Sequence, residues 1–410
     1  MIVVTALSLK DCIITRIMRT IFLCATQLCA ASLLLISMSG CGGSGATGSG
    51  GSGKDILYAT DTNDDVFSFS IDPSTGALTQ TAAITLGGEA AGHYSQLAVT
   101  PSGSFVYTST QLGAEINGYS TNSSGALSLI SGSPFPSGIT NTHGISAFAI
   151  DPEGKFLYAS TDSEFVLGIA GLTIDSTSGI LTPIPGGFSA VSGERPLEWI
   201  VIDPTGRFLY GSSIADSPVP GHNIWGFTID SGSGALTAMA GSPFATSQNS
   251  QPFVMCVDPT GKFLYVALSN AGSIAAFTID SSTGALTPVS NSPFPTASTP
   301  DTKTYELTIS PSGKFLYAFN YNGNTIAAFT INSTNGELTT VSGSPFLINP
   351  AGQGQLIVDP SEKFLYVADG SSSAAFIVFD IDQSGALSPN PISPIAGSQE
   401  PFGLAVAKFQ

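Results

Sequence analysis

The sequence predicts an all-β protein, a seven-bladed β-propeller with four strands per blade, on three observations. A Phe-Leu-Tyr-like triplet recurs seven times, ending at Tyr58, Tyr107, Tyr158, Tyr210, Tyr265, Tyr317 and Tyr366, with spacings of 49, 51, 52, 55, 52 and 49 residues. Each unit holds four short alternating apolar runs separated by turn residues. A period near 50 with four strands is the spacing of a propeller blade, whereas helical solenoids would lack the alternation. Charged residues make up only 10% of the 410 residues, against roughly 25% in an average soluble domain. Long surface helices have little to be built from.

The elements of a unit follow in order. The innermost strand is the run before a Pro-x-Gly-like turn, such as 96–99 or 199–202, and those turns occupy 101–104, 152–155, 204–207, 259–262, 311–314 and 360–363. Inner strands packed face to face around a toroid explain the nearly continuous apolar runs. The Phe-Leu-Tyr strand is second. The third ends at Asp72, Asn122, Asp175, Asp230, Asp280, Asn332 or Asp382, side chains that favour turns. The fourth, outer strand begins at Leu78, Leu127, Leu181, Leu236, Leu286, Leu338 or Leu387, with glycine two residues earlier. The chain enters at 56–58 on a second-type strand and leaves at 403–407 on an inner-type strand. The C-terminus is therefore expected to complete the first blade and remove both sheet edges. Gly-Ser-Pro-Phe at 132–135, 241–244 and 343–346 recurs at one place in the unit. A motif shared by several blades marks structure and not one unique site.

Residues 1–40 are expected to be an address. Lys10, Arg16 and Arg19 precede a mostly apolar run from Ile21 to Met38, the order of a secretory signal. Its end, Ser39-Gly40-Cys41, resembles the lipobox of bacterial lipoproteins, in which the Cys is lipidated and becomes the new N-terminus. Met18 is an alternative start to Met1, and an uncleaved anchor is the alternative to cleavage. Residues 41–53 supply the lipidated Cys41 and a Gly/Ser tether, and 54–410 the propeller.

Charge and cysteine usage narrow the function classes. The net charge is −17, which excludes the clustered cations that nucleic acid or anionic lipid requires. The membrane is expected to be met through the lipid anchor only. Past residue 41 the only cysteine is Cys256, so the propeller has no intrachain disulfide, and its apolar flanks mark a small buried side chain. Asp61 to Asp65 carries the carboxylates of a calcium loop, but Asp and Asn also make turns unaided. No metal and no cofactor is expected.

The seven repeats, with their Phe-Leu-Tyr, Phe-Thr-Ile-Asp, Thr-Gly-Ala-Leu-Thr and Gly-Ser-Pro-Phe segments, resemble the lactonase-type seven-bladed propellers, that is, the 6-phosphogluconolactonase-like family and its YVTN-repeat relatives. The resemblance covers roughly 54–410. It implies lactone hydrolysis and a Pro-Arg-His-like motif about five residues before the turn proline, at the channel mouth. Those positions here hold Gln96, Ala147, Trp199, Val254, Glu306 and Gln355, and Pro-Arg-His occurs nowhere in the chain. Its absence argues against phosphogluconolactone as substrate, as does export away from phosphorylated sugars. The resemblance also covers muconate-cyclase-type isomerases.

Lactone hydrolysis needs a base to activate water and donors for the oxyanion. His143, Arg195 and Glu198 stand just before or at the start of inner strands in neighbouring units, so they are the candidate catalytic base, cation and acid. His93, Gln96, His222, Tyr305, Glu306 and Gln355 are candidate binding groups at the same rim. The alternative is that these are solvated loop residues. Two functions remain open: a lipid-anchored lactonase of the bacterial cell envelope acting on a small lactone or sugar, and a non-catalytic displayed propeller binding a glycan, peptide or protein. A monomer is expected in either case.

Overall fold

The computed structural model describes residues 54–409 except 62–64, 86–95, 110–113, 140–143, 162–166, 192–196, 214–222, 247–249, 298–302, 350–353, 370–374 and 397–402. Seven antiparallel sheets form a ring. The inner strands of the second to seventh blades are Leu97–Val99, Ile145–Ile150, Leu197–Ile202, Pro252–Val257, Thr304–Ile309 and Leu356–Val358. The first blade consists of Asp55–Thr60, Val66–Ile71 and Leu78–Ile84, and its inner strand is the C-terminal Leu404–Lys408. The closing pair runs in register from Asp55 opposite Lys408 to Ala59 opposite Leu404. The ring closes as the repeat pattern predicts.

The turn that ends each inner strand is held by its first residue. Asp203 Oδ1 accepts from the amides of Arg207 (2.8 Å) and Phe208 (2.7 Å), and Asp151, Asp258 and Asp359 repeat the pattern. These turns, with Lys155, Arg207, Lys262, Lys314 and Lys363 beside them, define one face of the ring. The opposite face, where inner strands begin, is the mouth.

The tyrosine of each triplet joins its blade to the next. Tyr107 Oη donates to the carbonyl of Gly179 at 2.8 Å, Tyr158 to Gly234, Tyr210 to Gly284, Tyr265 to Gly336, Tyr317 to Gly385, and Tyr366 to Gly76. Tyr58 pairs with the Thr121 hydroxyl instead, at 2.8 Å. These acceptors are the glycines two residues before the outer strands. Glycine is required there twice over. Gly179 has φ +71°, and a Cβ on it would lie 2.4 Å from the ring of Phe105, the triplet phenylalanine of the preceding blade.

The outer strand is broken in five blades. Leu127–Leu129 pairs with one half of the third strand, and Phe135–Pro136 with the other. The serine between them replaces the missing partner: Ser133 Oγ accepts from Gly118 N at 3.0 Å, Ser242 from Gly226, Ser292 from Ala276, Ser344 from Ala328 and Ser393 from Val378. A buried amide left unpaired is costly, which accounts for the recurrent Ser-Pro-Phe. The tetrapeptide is structural, as its recurrence implies.

Candidate site at the channel mouth

Five residues before the turn proline, each inner strand places one side chain at the mouth end: Gln96, Ala147, Trp199, Val254, Glu306 and Gln355, with Gly403 equivalent in the first blade. Pairing shows which way they point. Glu306 lies opposite Phe319 and Thr308 opposite Tyr317, so Glu306 shares the sheet face whose tyrosine reaches the next blade. Trp199 Nε1 donates to Met255 O across that seam at 3.2 Å, and Gln355 Oε1 accepts from the Leu404 amide. This ring of side chains lies between blades.

One residue earlier, the inner strands of four blades carry a β-bulge. Ala147 pairs with Ser160 and Ile145 with Thr161, leaving Ser146 extra; Glu198 and Tyr305 are extra in the same way. In the fifth blade the shift falls between Pro252 and Met255, and Phe253 is the matching residue. A bulge re-aims a side chain, and these four occupy the start of the inner strands, at the rim.

The sixth blade has the most elaborate rim. Thr304 Oγ1 meets Thr296 Oγ1 at 2.7 Å and donates to Asn320 Oδ1 at 3.1 Å, while Asn320 Nδ2 donates to Thr296 O and Thr325 Oγ1, both at 3.2 Å. This buried network fixes the ends of three strands around Tyr305. Aromatic rings continue outward from it: Phe253 meets Tyr305 edge to face (centroids 5.4 Å, 77°), and Tyr305 meets Tyr321 in the same way (5.7 Å, 89°).

The site is buried and, among the described residues, poor in cations. Glu306 is fully buried, and neither of its carboxyl oxygens has a hydrogen-bond partner. Burial pushes its pKa well above the ordinary carboxylate range. Gln355 is equally buried, and its Nε2 has no partner. Burial, and then the neighbouring Tyr321, raise the Tyr305 hydroxyl. Among the described residues Lys303, whose carbonyl accepts from Tyr321 N at 2.9 Å, is the cation at this rim. No group of three or more His, Cys, Asp or Glu could hold a metal among the described residues.

The sequence candidates divide accordingly. His93, His143, His222 and Arg195 lie outside the described residues. Glu198 is a bulge residue on the fourth blade, 6% exposed. Tyr305 and Glu306 are consecutive on the sixth blade, and Gln355 follows on the seventh. Gln96 is on the second, where its backbone N–H donates to Ser109 Oγ at 2.8 Å. Glu306 and Gln355 are buried between blades and do not line an open channel. Phe253 and Tyr321 were not among the candidates; aromatic residues at rim positions of adjacent units were the available signal. Cys256 is buried, its thiol donating to Leu307 O at 3.3 Å. Asp61 Oδ1 accepts from Asp65 N at 2.9 Å, a local turn.

With this ring and its mouth in view, comparison with known proteins is decisive for the family. The family model described as "Lactonase, 7-bladed beta-propeller" matches residues 50–196, 180–299 and 292–398. The chain belongs to the seven-bladed lactonase propeller family. Curated relatives are distant: a 6-phosphogluconolactonase of Pectobacterium atrosepticum is 22% identical over 320 residues, covering 78% of this chain and 89% of its own length. One from Serratia proteamaculans is 23% identical over 297 residues, covering 72% and 83%. Among solved structures, a putative 6-phosphogluconolactonase of Bacteroides fragilis superimposes with a TM-score of 0.70 at 20% identity, covering 88% of this chain and 99% of its own. A structure titled the periplasmic gluconolactonase of Pseudomonas aeruginosa gives 0.69 at 18% identity, covering 86% and 99%. At these identities the structures share the fold.

Proposed function

We propose that this lactonase-family propeller is an exported, lipid-anchored hydrolase that opens a small lactone or cyclic ester at the channel mouth. The observation that carries the reading is Glu198, a carboxyl set by a β-bulge at the mouth of a chain that belongs to the lactonase family along nearly its whole propeller. The periplasmic gluconolactonase among its structural neighbours supports an extracytoplasmic setting, as do the signal-like residues 1–40 and Cys41. In the reaction, water attacks the lactone carbonyl, the ring C–O bond breaks, one proton leaves the water and one reaches the departing alkoxide. His143 is assigned as base, Arg195 as the cation for the oxyanion, and Glu198 as the acid serving the leaving oxygen.

The test is hydrolysis of gluconolactone and simple aliphatic lactones by the purified protein, followed as acid release above the spontaneous rate. Turnover by the wild type that is lost in His143→Ala supports the assignment, and no turnover on any lactone removes it. The second reading, a displayed propeller that binds without hydrolysis, is favoured by the missing Pro-Arg-His motif. It predicts saturable ligand binding with no acid release.

A further inference from the structure

We infer that the seam between the sixth and seventh blades is a pH-sensitive hinge: its mouth end parts when Glu306 loses its proton and closes when the proton returns, moving Tyr305 and Lys303 at the rim. The inference goes beyond the lactonase reading and does not depend on what the mouth binds or hydrolyses.

Neighbouring seams are tied where their inner strands meet. Between the fourth and fifth blades Trp199 Nε1 donates to Met255 O at 3.2 Å and Ser212 Oγ to Phe253 O at 2.7 Å. Cys256 Sγ donates to Leu307 O at 3.3 Å between the fifth and sixth, and Gln355 Oε1 accepts from the Leu404 amide between the seventh and first. Between the sixth and seventh the corresponding groups are the Glu306 carboxyl and the Gln355 amide nitrogen, and neither makes a hydrogen bond. Both side chains are fully buried. Phe319, the cross-strand partner of Glu306, belongs to an apolar cluster with Leu356, Leu365 and Val367 of the seventh blade.

A neutral carboxyl can stay in such a place, whereas a carboxylate there needs water or a donor. The other ionisable groups of this region do not supply one. Lys303, Tyr305 and Tyr321 stand at the rim, Tyr317 is bonded to Gly385 O, and Asp369 ends the second strand of the seventh blade. None offsets the burial, which alone raises the Glu306 pKa. Ionisation is therefore linked to opening, which lets water reach the carboxylate and leaves Lys303, three residues earlier, as its counter-charge. The closed form holds the proton, and the open form, an ordinary carboxylate, releases it at about pH 4.3. From there the open fraction rises with pH, by up to about tenfold per unit, until the pKa of the closed form is passed.

The motion has a fixed end. At the opposite face Tyr317 Oη donates to Gly385 O at 3.1 Å and Ser312 Oγ to Glu362 Oε2 at 2.8 Å, both across this seam. Opening one end of a seam costs less than unfolding the ring. What moves is the mouth. Tyr305 is the bulge residue next to Glu306, in edge-to-face contact with Phe253 and Tyr321, and Tyr321 in turn meets Phe319 (6.5 Å, 87°). The rings thus connect the buried seam to the rim.

Hydrogen–deuterium exchange of the purified full-length protein tests this, read by mass spectrometry from pH 5 to pH 9 and corrected for the intrinsic pH dependence of amide exchange. In the wild type, protection of 303–309 and 354–358 should fall by about tenfold or more across that range, and return when the pH is lowered again. The inner strand 199–202 of the fourth blade should keep its protection. In Glu306→Gln, which has no proton to lose, all three segments should keep it. Glu306→Leu carries the same expectation and serves if the glutamine variant does not fold. The hinge is overturned if wild-type protection of 303–309 and 354–358 is independent of pH, or if 199–202 loses protection in step with them. The same loss in a folded Glu306 variant also overturns it.

Discussion

Tyr366 donates its hydroxyl to the carbonyl of Gly76 over 2.9 Å, joining residues 290 positions apart across the seam where the ring closes. The same bond appears at five other blade junctions, so the closing junction is built like the rest. The Tyr366 hydroxyl is raised in pKa by burial and then by Asp359, Asp55 and Asp72, and stays a donor throughout the physiological range.

Tyr366→Phe should therefore cost about 1–3 kcal/mol, the price of leaving a buried carbonyl unpaired. Tyr210→Phe, at an internal junction, should cost a similar amount. Urea denaturation of both variants checks this, and a Tyr366 effect near zero would mean the seam is held by the strand pairing alone.

Removal of residues 403–410 should abolish cooperative unfolding. The deleted segment supplies the inner strand of the first blade and buries Leu404, Ala405 and Ala407. The far-ultraviolet circular dichroism melt is the readout, and a transition within a few degrees of wild type contradicts ring closure.

Glu306→Gln should stabilise the protein at neutral pH and leave it nearly unchanged near pH 4. Burial raises the folded-state pKa above the unfolded one, so the folded state holds the extra proton. Its stability then falls as pH rises from the unfolded value through the folded one, at up to about 1.4 kcal/mol per pH unit. Melting temperatures of both proteins from pH 4 to pH 8 should diverge with rising pH. Parallel curves would show that Glu306 has a partner.

Ser292→Ala should cost about 1–2 kcal/mol, because the Ala276 amide loses the hydroxyl it donates to at 2.9 Å. Thermal unfolding checks it, with exposed Ser282→Ala as a comparison.

Cys41→Ala should eliminate fatty-acid labelling of the protein in cells, as the lipobox-like Ser39-Gly40-Cys41 requires. Equal labelling of wild type and variant would exclude lipidation at this residue.

The ring was legible because its determinants are short and repeated. Tyrosine, turn proline and glycine recur at matching offsets, and the tyrosine–glycine bond repeats at six of the seven junctions. The break in the outer strand was not legible, since Ser133 or Ser344 reveals its role only once the third-strand amide it serves is located. Bulges were hidden for a related reason: the extra residue at Glu198 or Tyr305 is defined by pairing to another strand, and local sequence does not encode it. Glu306 reads in the sequence as a binding group at the rim because acids usually seek water. Its parity with Tyr317 on the paired strand places it between blades.

The broken outer strands bear on how this chain meets other sheet edges at high concentration. A molecule with few charges and seven exposed sheet edges invites edge-to-edge pairing with its neighbours. In five blades the edge is cut into pieces of three and two residues, too short to template another chain. The two continuous edges, Leu78–Ile84 and Leu181–Ala190, each carry a register shift, and the longer includes Pro183 and Pro185, which have no amide to offer. Interrupting the perimeter's hydrogen-bonding ladder thus works against edge-to-edge pairing.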